Sequence, residues 1–319
     1  LDDVLRYQDL PDHPNGAMNN SLRALAQQQG CRVLLTGSGG DEWFTGSWFH
    51  YADLLRQLKL GSLLRRIQAD RSFYGRSDYY DLFSVPIVQF GLLPFVPQSW
   101  RTLGKRLLGR ATLPTWISPD LWRRTHMQER IRQSIFSPPF SSYAQQDIFR
   151  SAVHGLGIHG TELDERAAAF FGLESRHPLN DQRLIEFALA LPEEQRWRDS
   201  PKFILRKAME ARLPSSVRKR VLKADFSCIY AQALLSESNA AIFQSLSVAS
   251  MGWVDGDKIW TAYQTMARCY SRGDEAYQSH VAPLWMVFGV ELWFRTLIQG
   301  QSLHPDLPTR REAVPSFSS

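Results

Sequence analysis

The sequence predicts an α/β protein in which a short parallel sheet is followed by a large, mostly helical region. Three observations support this fold class. Residues 31–36 form an apolar run with the length and composition of a strand that is buried on both faces of a parallel sheet. A turn with three glycines follows, two carboxylates then open a helix, and after Trp43 the apolar spacing is helical almost to the end. This order of elements is typical of an open α/β sheet, which binds its ligands at the carboxyl ends of the strands.

Two helices are predicted on either side of this strand. The first is expected from 20 to about 28, with Leu22 and Leu25 facing inward and Gly30 ending it. The second is expected over 51–64, where the spacing predicts one amphipathic helix with a basic outer face.

Start and stop signals predict the helices of the second half of the chain. Asp181 is expected to cap a helix that Pro192 closes. The Ser-Pro pair at 200–201 combines a capping residue with a proline at the first helical position. A helix is therefore expected to start there and to run towards Pro214. Residues 256–299 again have helical spacing and are rich in tryptophan.

Composition limits the class of protein and its partners. The chain has 319 residues, of which 44% are hydrophobic and 22% charged, which excludes a disordered protein. Its net charge of +5 suits an anionic small substrate and would also suit nucleic acid. The basic runs at 123–124 and 218–220 belong to no nucleic-acid-binding motif, so solvated faces are the favoured interpretation. No membrane partner is expected, because the most apolar stretch, 82–97, is short for a span and is broken by prolines.

The cysteines indicate no metal centre. Cys31, Cys228 and Cys269 are far apart, and none belongs to a cluster with metal-ligand spacing. The pattern predicts neither a zinc site nor a disulfide framework. A reducing, cytoplasmic location is therefore expected, and no signal peptide opens the chain.

The first candidate site is the segment Leu-Thr-Gly-Ser-Gly-Gly-Asp-Glu-Trp-Phe at 35–44. Its glycines let backbone N–H groups approach a ligand closely, and the start of a helix favours anions. A carboxylate at this place, such as Asp41, can hold Mg²⁺ and through it phosphate oxygens. The alternative is a tight strand-to-helix turn that Asp41 merely caps, because short motifs often match by chance.

The second candidate site is the segment Phe-Gly-Leu-Glu-Ser-Arg-His-Pro-Leu-Asn-Asp at 171–181. Glu174 could act as a general base, and Arg176 could orient it or clamp an anion. The alternative is a structural Glu–Arg pair that anchors the next helix. For His177, a packing or turn role is the favoured interpretation.

The third candidate site starts with Pro-Lys-Phe-Ile-Leu-Arg at 201–206 and continues to Lys223. Lys202 and Arg206 are four residues apart, so they are expected to share a helix face. Lys223 lies among basic and aromatic residues and could neutralise a phosphate or a developing oxyanion. Without further context, a solvated basic face is the favoured interpretation of this segment.

These three segments, in this order and spacing, resemble the asparagine synthase family over residues from about 10 to 230. In that family a strand ends in Ser-Gly-acid-Gly-small-Asp-Glu-apolar-Phe, and a later segment reads Gly-apolar-Glu-x-Arg-x-Pro. A helix with Lys-x-apolar-Leu-Arg follows, and then Leu-Pro, an arginine, and a lysine before an aromatic residue. The joint match is far more specific than any of its parts.

The resemblance implies an adenine-nucleotide-hydrolase-like (PP-loop ATPase) parallel sheet with a large, mostly helical remainder. It also implies that ATP adenylates a carboxylate, that Mg²⁺ bridges the leaving pyrophosphate, and that an amine attacks the acyl-adenylate. By position, Asp41 would be the Mg²⁺ ligand and Lys223 would stabilise the acyl-adenylate. Ser38 and Glu174 would lie near the attacking amine or the acceptor. The residues implied to bind ATP are Thr36, Gly37, Ser38, Gly39, Gly40, Asp41, Glu42, Arg176, Lys202 and Arg206.

The sequence also departs from the family pattern. The family's pyrophosphate-binding loop, Ser-Gly-Gly-x-Asp-Ser, and its glutaminase domain are not found, so we expect a fragment that is truncated at its N-terminus and inactive by itself. Ser38 replaces the acid usual in asparagine-forming members, and Ser47 stands where they usually have tyrosine. One extra residue follows Arg220. These differences look more like relatives that close peptide amide bonds, such as lasso-peptide cyclases.

The expected organisation is one synthetase domain, 1–319, without a glutaminase domain. Its segments are the end of the nucleotide-binding α/β part (1–60), an irregular or helical insertion (61–140), a helical substrate-side part (141–300) and a flexible tail (301–319).

The sequence therefore predicts an ATP-dependent, amide-bond-forming ligase of the asparagine synthase type, as used in asparagine biosynthesis. Its expected partners are a small-molecule or peptide carboxylate and an amine or ammonia donor, and homo-oligomerisation is left open. One alternative is a peptide macrocyclase of the lasso-peptide type that activates an Asp or Glu side chain. Another is a non-catalytic domain that has lost ATP chemistry, and nucleic-acid binding is a distant third.

Overall fold

The computed structural model describes residues 2–11, 14–74, 86–97, 99–101, 114–134, 138–198, 200–220 and 225–301. Most of these residues are helical, and the chain forms two compact units that interleave along the sequence. The first unit contains Leu1–Leu22, Leu113–Glu129 and Ala224–Ser319, and the second contains Arg23–Thr112 and Arg130–Lys223. All three candidate segments fall in the second unit.

The secondary structure is mainly short helices. Those up to residue 170 include α1 (Asp2–Tyr7), α2 (Pro14–Gln28), α3 (Gly40–Phe44), α4 (His50–Arg56), α5 (Leu60–Tyr74), α6 (Pro119–Arg124), α7 (Met127–Ser134), α8 (Tyr143–Val153) and α9 (Gly155–Phe170). Later ones include α10 (Gln182–Ala190), α11 (Glu193–Arg196), α12 (Phe203–Ala208), α13 (Ser215–Arg218), α14 (Ser227–Leu234), α15 (Glu237–Gln244), α16 (Ser247–Ser250), α17 (Gly256–Ser271) and α18 (Gln278–Trp293). Shorter 3-10 or π-helical turns lie at Pro86–Leu92, Leu93–Phe95, Pro178–Asn180, Glu275–Tyr277 and Phe294–Ile298.

The first unit is a helical core arranged around α18. Leu234 of α14, Ile259 of α17 and Leu284 of α18 belong to one buried apolar cluster. The carboxylate of Glu291 is fully buried beside this cluster and accepts hydrogen bonds of 2.7 and 3.0 Å from the first two backbone N–H groups of α16. Capping a buried helix start in this way satisfies donors that would otherwise be costly to bury.

One helical stretch among the described residues, Glu275–Ile298, is long and apolar enough to cross a membrane by length and composition. It includes α18, and 56% of its most apolar window is buried inside the protein. Burial of this kind is what the core helix of a globular unit shows.

The second unit contains a two-stranded parallel sheet formed by β1 (Val33–Leu35) and β2 (Glu174–Arg176). In its register Val33 lies opposite Glu174, and Leu35 lies opposite Arg176. Because side chains alternate between the faces of a strand, these four residues share one face of the sheet. Thr36 follows Leu35 and His177 follows Arg176, so their side chains point to the opposite face.

The strand was predicted correctly, but its burial on both faces was wrong. Leu35 is 73% exposed and Val33 is also exposed. Among the described residues β1 pairs with β2 alone, and the charged side chains of Glu174 and Arg176 occupy the same open face. An apolar run shows that a segment can be buried, whereas the neighbouring elements decide whether it is.

Helix α2 ends where the sequence predicted but begins earlier and faces the other way. It starts at Pro14 and is followed by Gly30 with a φ of +75°, as expected for a glycine that ends a helix. Leu22 and Leu25 are 65% and 50% exposed, so their predicted inward orientation was wrong. Arg23 is buried instead, at 3% exposure, because its guanidinium pairs with Asp164.

Two further helix predictions needed correction. Residues 51–64 form two helices, α4 and α5, because the chain reverses at Leu58, which has a φ of +56°. The reversal packs Tyr51 of α4 against the apolar side of α5 around Ile67. The helix expected at 200–201 begins only at Phe203, as α12, because the residue before it takes a left-handed conformation.

The helix start at Asp181 was predicted correctly. Its carboxylate accepts a hydrogen bond of 2.9 Å from the backbone N–H of Arg183, which caps α10. The helix ends at Ala190, just before Pro192.

Candidate active site

Three segments that are far apart in the sequence meet in the second unit. The backbone N–H of Thr36 donates to the carbonyl of Arg176 at 2.9 Å, which extends the β1–β2 pairing into the glycine turn. Behind the turn, Trp43 and Phe44 pack in one buried apolar cluster with residues of α12, including Ile204. The segments 35–44, 171–181 and 201–206 therefore form one candidate site at the carboxyl ends of two parallel strands.

The glycines of the turn have different roles. Gly39 has a φ of +93°, and a Cβ there would overlap the Asn180 side-chain oxygen and lie 2.6 Å from Trp43 Nε1. Gly40 is buried and has a side-chain methyl group of Leu179 against it. In contrast, a Cβ at Gly37 would meet nothing within 4 Å. Gly39 and Gly40 thus let the first segment pack on the second, and Gly37 leaves its backbone open to a ligand.

The two carboxylates lie in the first turn of α3, as predicted. The Asp41 carboxylate is half exposed and forms an ion pair with Lys202, with 2.5 Å between Oδ1 and Nζ. Lys202 precedes α12 in the left-handed conformation, with a φ of +60°. The predicted sharing of one helix face by Lys202 and Arg206 was wrong, because Lys202 lies before the helix. Glu42 is exposed beside Asp41.

Glu174 and Arg176 form an exposed ion pair on the open face of the sheet. Arg176 donates two hydrogen bonds to the Glu174 carboxylate, at 2.8 and 3.2 Å. These hydrogen bonds and the charge of the guanidinium hold the pKa of Glu174 below its ordinary value. Glu174 lies opposite Val33, three residues before Thr36, which is about 10 Å along the strand. The structure therefore does not bring Glu174 next to Ser38, which lies exposed in the glycine turn.

The guanidinium of Arg206 binds backbone carbonyl groups. It donates to the carbonyls of Pro201 and Arg220, both at 3.0 Å, and to that of Arg218. These bonds tie α12 to the chain that leads towards Lys223. Lys223 itself lies outside the described residues.

A family model for asparagine synthase matches residues 1–295, almost the whole chain. The chain belongs to the asparagine synthase family. Neither the curated proteins nor the solved structures contain a match to it. Membership of the family supports an enzyme of the ligase type, and domains of the asparagine synthase family generally bind ATP.

The residues of the turn fit the two groups that an asparagine synthase-type domain would hold. The open backbone at Gly37 leaves space for close approach of a nucleotide. The described residues contain no group of three or more His, Cys, Asp or Glu side chains that could hold a metal ion. Mg²⁺ in nucleotide sites needs only one or two carboxylates, since phosphate oxygens and water complete its shell. Asp41 fits such a metal as one ligand of a Mg-nucleotide.

His177 contacts the glycine turn of this asparagine synthase-type site. The distance between Thr36 Oγ1 and His177 Nδ1 is 2.6 Å. The other ring nitrogen faces Asp164, with 4.0 Å between Nε2 and Oδ2. Asp164 in turn pairs with the buried Arg23. Once the register of the two strands is known, alternation of side chains places His177 on the same face as Thr36.

Ser47, where asparagine-forming members usually have tyrosine, belongs to the interior. Its hydroxyl donates to Asp147 Oδ2 at 2.7 Å, and its N–H donates to Glu193 Oε1 at 2.6 Å. Burial raises the pKa of both Asp147 and Glu193 above their ordinary values. The carboxylate of Glu193 is also paired with buried Arg196 at 2.9 Å. Ser47 therefore fixes the loop after α3 and does not line an open site.

Proposed function

We propose that this chain is part of an ATP-dependent ligase that forms an amide in two steps, on an adenine-nucleotide-hydrolase-like (PP-loop) sheet. The observation that supports it is the meeting of three chemically distinct segments at the carboxyl ends of β1 and β2. Open α/β sheets bind their ligands at this edge.

In the first step a carboxylate oxygen of the substrate attacks the α-phosphorus of ATP, and pyrophosphate leaves. Thr36 and Gly37 would line the nucleotide. Asp41 would bind the Mg²⁺ that accompanies the pyrophosphate, and the Lys202 ammonium beside it adds a positive charge for the departing phosphates. Positioning and charge neutralisation are the main contributions that a protein makes to such a transfer.

In the second step an amine nitrogen attacks the acyl carbon, AMP leaves, and the nitrogen loses a proton. Lys223 would stabilise the negative charge that develops on the acyl oxygen. Glu174 would take the proton. Its pairing with Arg176 keeps it ionised, which a base requires, and also makes it a weaker base.

The experiment is ATP–pyrophosphate exchange by the full-length protein and its Asp41→Asn variant. We expect the variant to fold and to lose exchange, because an amide does not supply the charge that Mg²⁺ requires. Asp257→Asn is the matched control, since Asp257 is also an exposed aspartate in the first turn of a helix, in the other unit. Unchanged exchange in Asp41→Asn would remove Asp41 from the site. Absence of exchange in the unaltered protein, with any carboxylate offered, would favour the non-catalytic alternative.

A peptide macrocyclase is the second candidate, and Ser38 favours it. A serine hydroxyl stays protonated near neutral pH, so it cannot serve as a base without help from a neighbouring base. The proton that a peptide ammonium group must lose would therefore pass to Glu174. Because position 38 lacks the acid that asparagine-forming members usually carry, we expect aspartate with ammonia to be a poor substrate pair, measured as asparagine formed by the full-length protein. Efficient asparagine synthesis with Ser38 in place would refute the macrocyclase candidate.

A further inference from the structure

The hydroxyl group of Thr36 is held by a histidine that the proposed reaction does not use. Thr36 is partly exposed at the edge of the glycine turn, whereas the side chain of His177 is only 10% exposed. Arg23 pairs with Asp164, and His177 lies between Asp164 and Thr36. Its Nε2 is 4.0 Å from Asp164 Oδ2, beyond hydrogen-bond distance, and its Nδ1 is 2.6 Å from Thr36 Oγ1. The residues come from α2, α9 and the ends of the two strands, so the arrangement depends on the tertiary fold.

We infer that His177 is a positioning residue that fixes the Thr36 hydroxyl as a hydrogen-bond acceptor towards the ligand. The group it receives is then a hydroxyl or amino donor of a nucleoside, and not a phosphate. This inference rests on the proposed nucleotide-dependent function and specifies what Thr36 does in it.

The positions of the protons follow from the partners of each atom. Nε2 faces the carboxylate that pairs with Arg23, at 4.0 Å from Asp164 Oδ2, so we place the ring hydrogen on Nε2. With hydrogen on Nε2 alone, Nδ1 is an acceptor, and Thr36 donates its single hydroxyl proton to it across 2.6 Å. The backbone N–H of Ser38 donates to the same hydroxyl oxygen at 3.3 Å. One lone pair of Thr36 Oγ1 is left for a ligand.

A remaining lone pair selects among the groups of a nucleotide. The ribose hydroxyls and the adenine amino group can donate a hydrogen bond to it. The phosphate oxygens carry negative charge and only accept, so they are repelled by it. The structure therefore assigns Thr36 to the nucleoside end of the ligand, and leaves Asp41 and Lys202 to the phosphate end.

The first test measures the position of the proton directly, without any ligand. Nitrogen-15-labelled histidine in the full-length protein gives NMR correlations that show which ring nitrogen of His177 carries hydrogen, and His177→Asn identifies its signals. We expect hydrogen on Nε2, with a shift of the Nδ1 signal in Thr36→Val. Hydrogen on Nδ1 would overturn the inference, because the threonine hydroxyl would then be free to donate to a phosphate.

The second test measures equilibrium binding of adenosine and of Mg-ATP. We expect Thr36→Val and His177→Leu each to weaken the binding of both ligands by the same factor, roughly threefold to tenfold. The double variant should lose no more affinity than either single variant, because both substitutions remove the same hydrogen-bond acceptor. His177→Asn should restore binding, since its amide oxygen replaces Nδ1. His177→Gln places its polar group near Nε2 and should not restore it.

Two results would overturn the inference, and they differ from a failure of the proposed function. A loss for Mg-ATP with unchanged adenosine binding would place Thr36 at the phosphates. A lower melting temperature with unchanged affinity per folded molecule would make His177 purely structural. If the unaltered protein binds neither probe, the proposed function itself fails, and the nucleoside role of Thr36 fails with it.

Discussion

Replacement of Gly39 by alanine should destabilise the second unit by about 1.5–3.5 kcal/mol. A left-handed backbone costs a residue with a Cβ about 1–2 kcal/mol, and Gly39 has a φ of +93°. The new methyl group would also displace Trp43 Nε1 and the Asn180 side-chain oxygen, which are joined by a hydrogen bond of 3.3 Å. Loss of this hydrogen bond costs about 0.5–1.5 kcal/mol. It would lie 3.0 Å from a backbone carbon of Leu179, which cannot rotate away as a side chain can.

The assay is calorimetry, where this loss corresponds to a melting temperature about 3–14 °C lower. Gly172→Ala is the matched control, because Gly172 has a φ of +66° and nothing within 4 Å of its Cβ position. It isolates the backbone cost, so the difference between the two variants measures the steric part. Equal shifts for Gly39→Ala and Gly172→Ala would refute the argument that Gly39 permits the close packing of two segments.

The remaining predictions concern charged groups. Lys223→Ala should lower turnover by a factor of about 10²–10³ without changing the melting temperature, since a lost oxyanion donor costs about 2.7–4 kcal/mol. A large drop in melting temperature with activity kept would make Lys223 structural. Glu174→Gln should block amide formation but leave ATP–pyrophosphate exchange measurable, and normal product formation would exclude Glu174 as the base. The guanidinium of Arg183 lowers the pKa of Asp181 from 3.8 to about 2. Because the folded pKa is depressed, the cap stabilises α10 above pH 3.8 and loses this effect as the pH falls through 2. Melting temperatures between pH 5 and pH 2 should therefore fall more steeply than in Asp181→Asn, and parallel curves would contradict the capping role.

Local signals in the sequence predicted the backbone elements that form the candidate site. A strand, a glycine turn and a helix that opens with Asp41 are all encoded within ten residues, and the structure confirms each of them. The cap at Asp181 is equally local. Such features depend on backbone conformation and on hydrogen bonds between neighbours, which the order of residues specifies directly.

Long-range pairing could not be predicted in the same way. Arg23 is buried where Leu25 is exposed, because Arg23 meets a carboxylate 141 residues away. Apolar spacing assigns faces to a helix but does not show that an ion pair will reverse them. The contact between Thr36 and His177 also spans 141 residues. It becomes evident only when the register of the two strands is known.

The left-handed backbone of Lys202 sets a trade-off between stability and function. This conformation costs a lysine about 1–2 kcal/mol that a glycine would largely avoid. A library of variants selected for stability alone should therefore become enriched in glycine at position 202. The same selection would remove the ammonium group 2.5 Å from Asp41. If Lys202 assists the departing phosphates as proposed, stabilising this protein by consensus or directed evolution should hold position 202 fixed, because strained positions of this kind are retained where activity requires them.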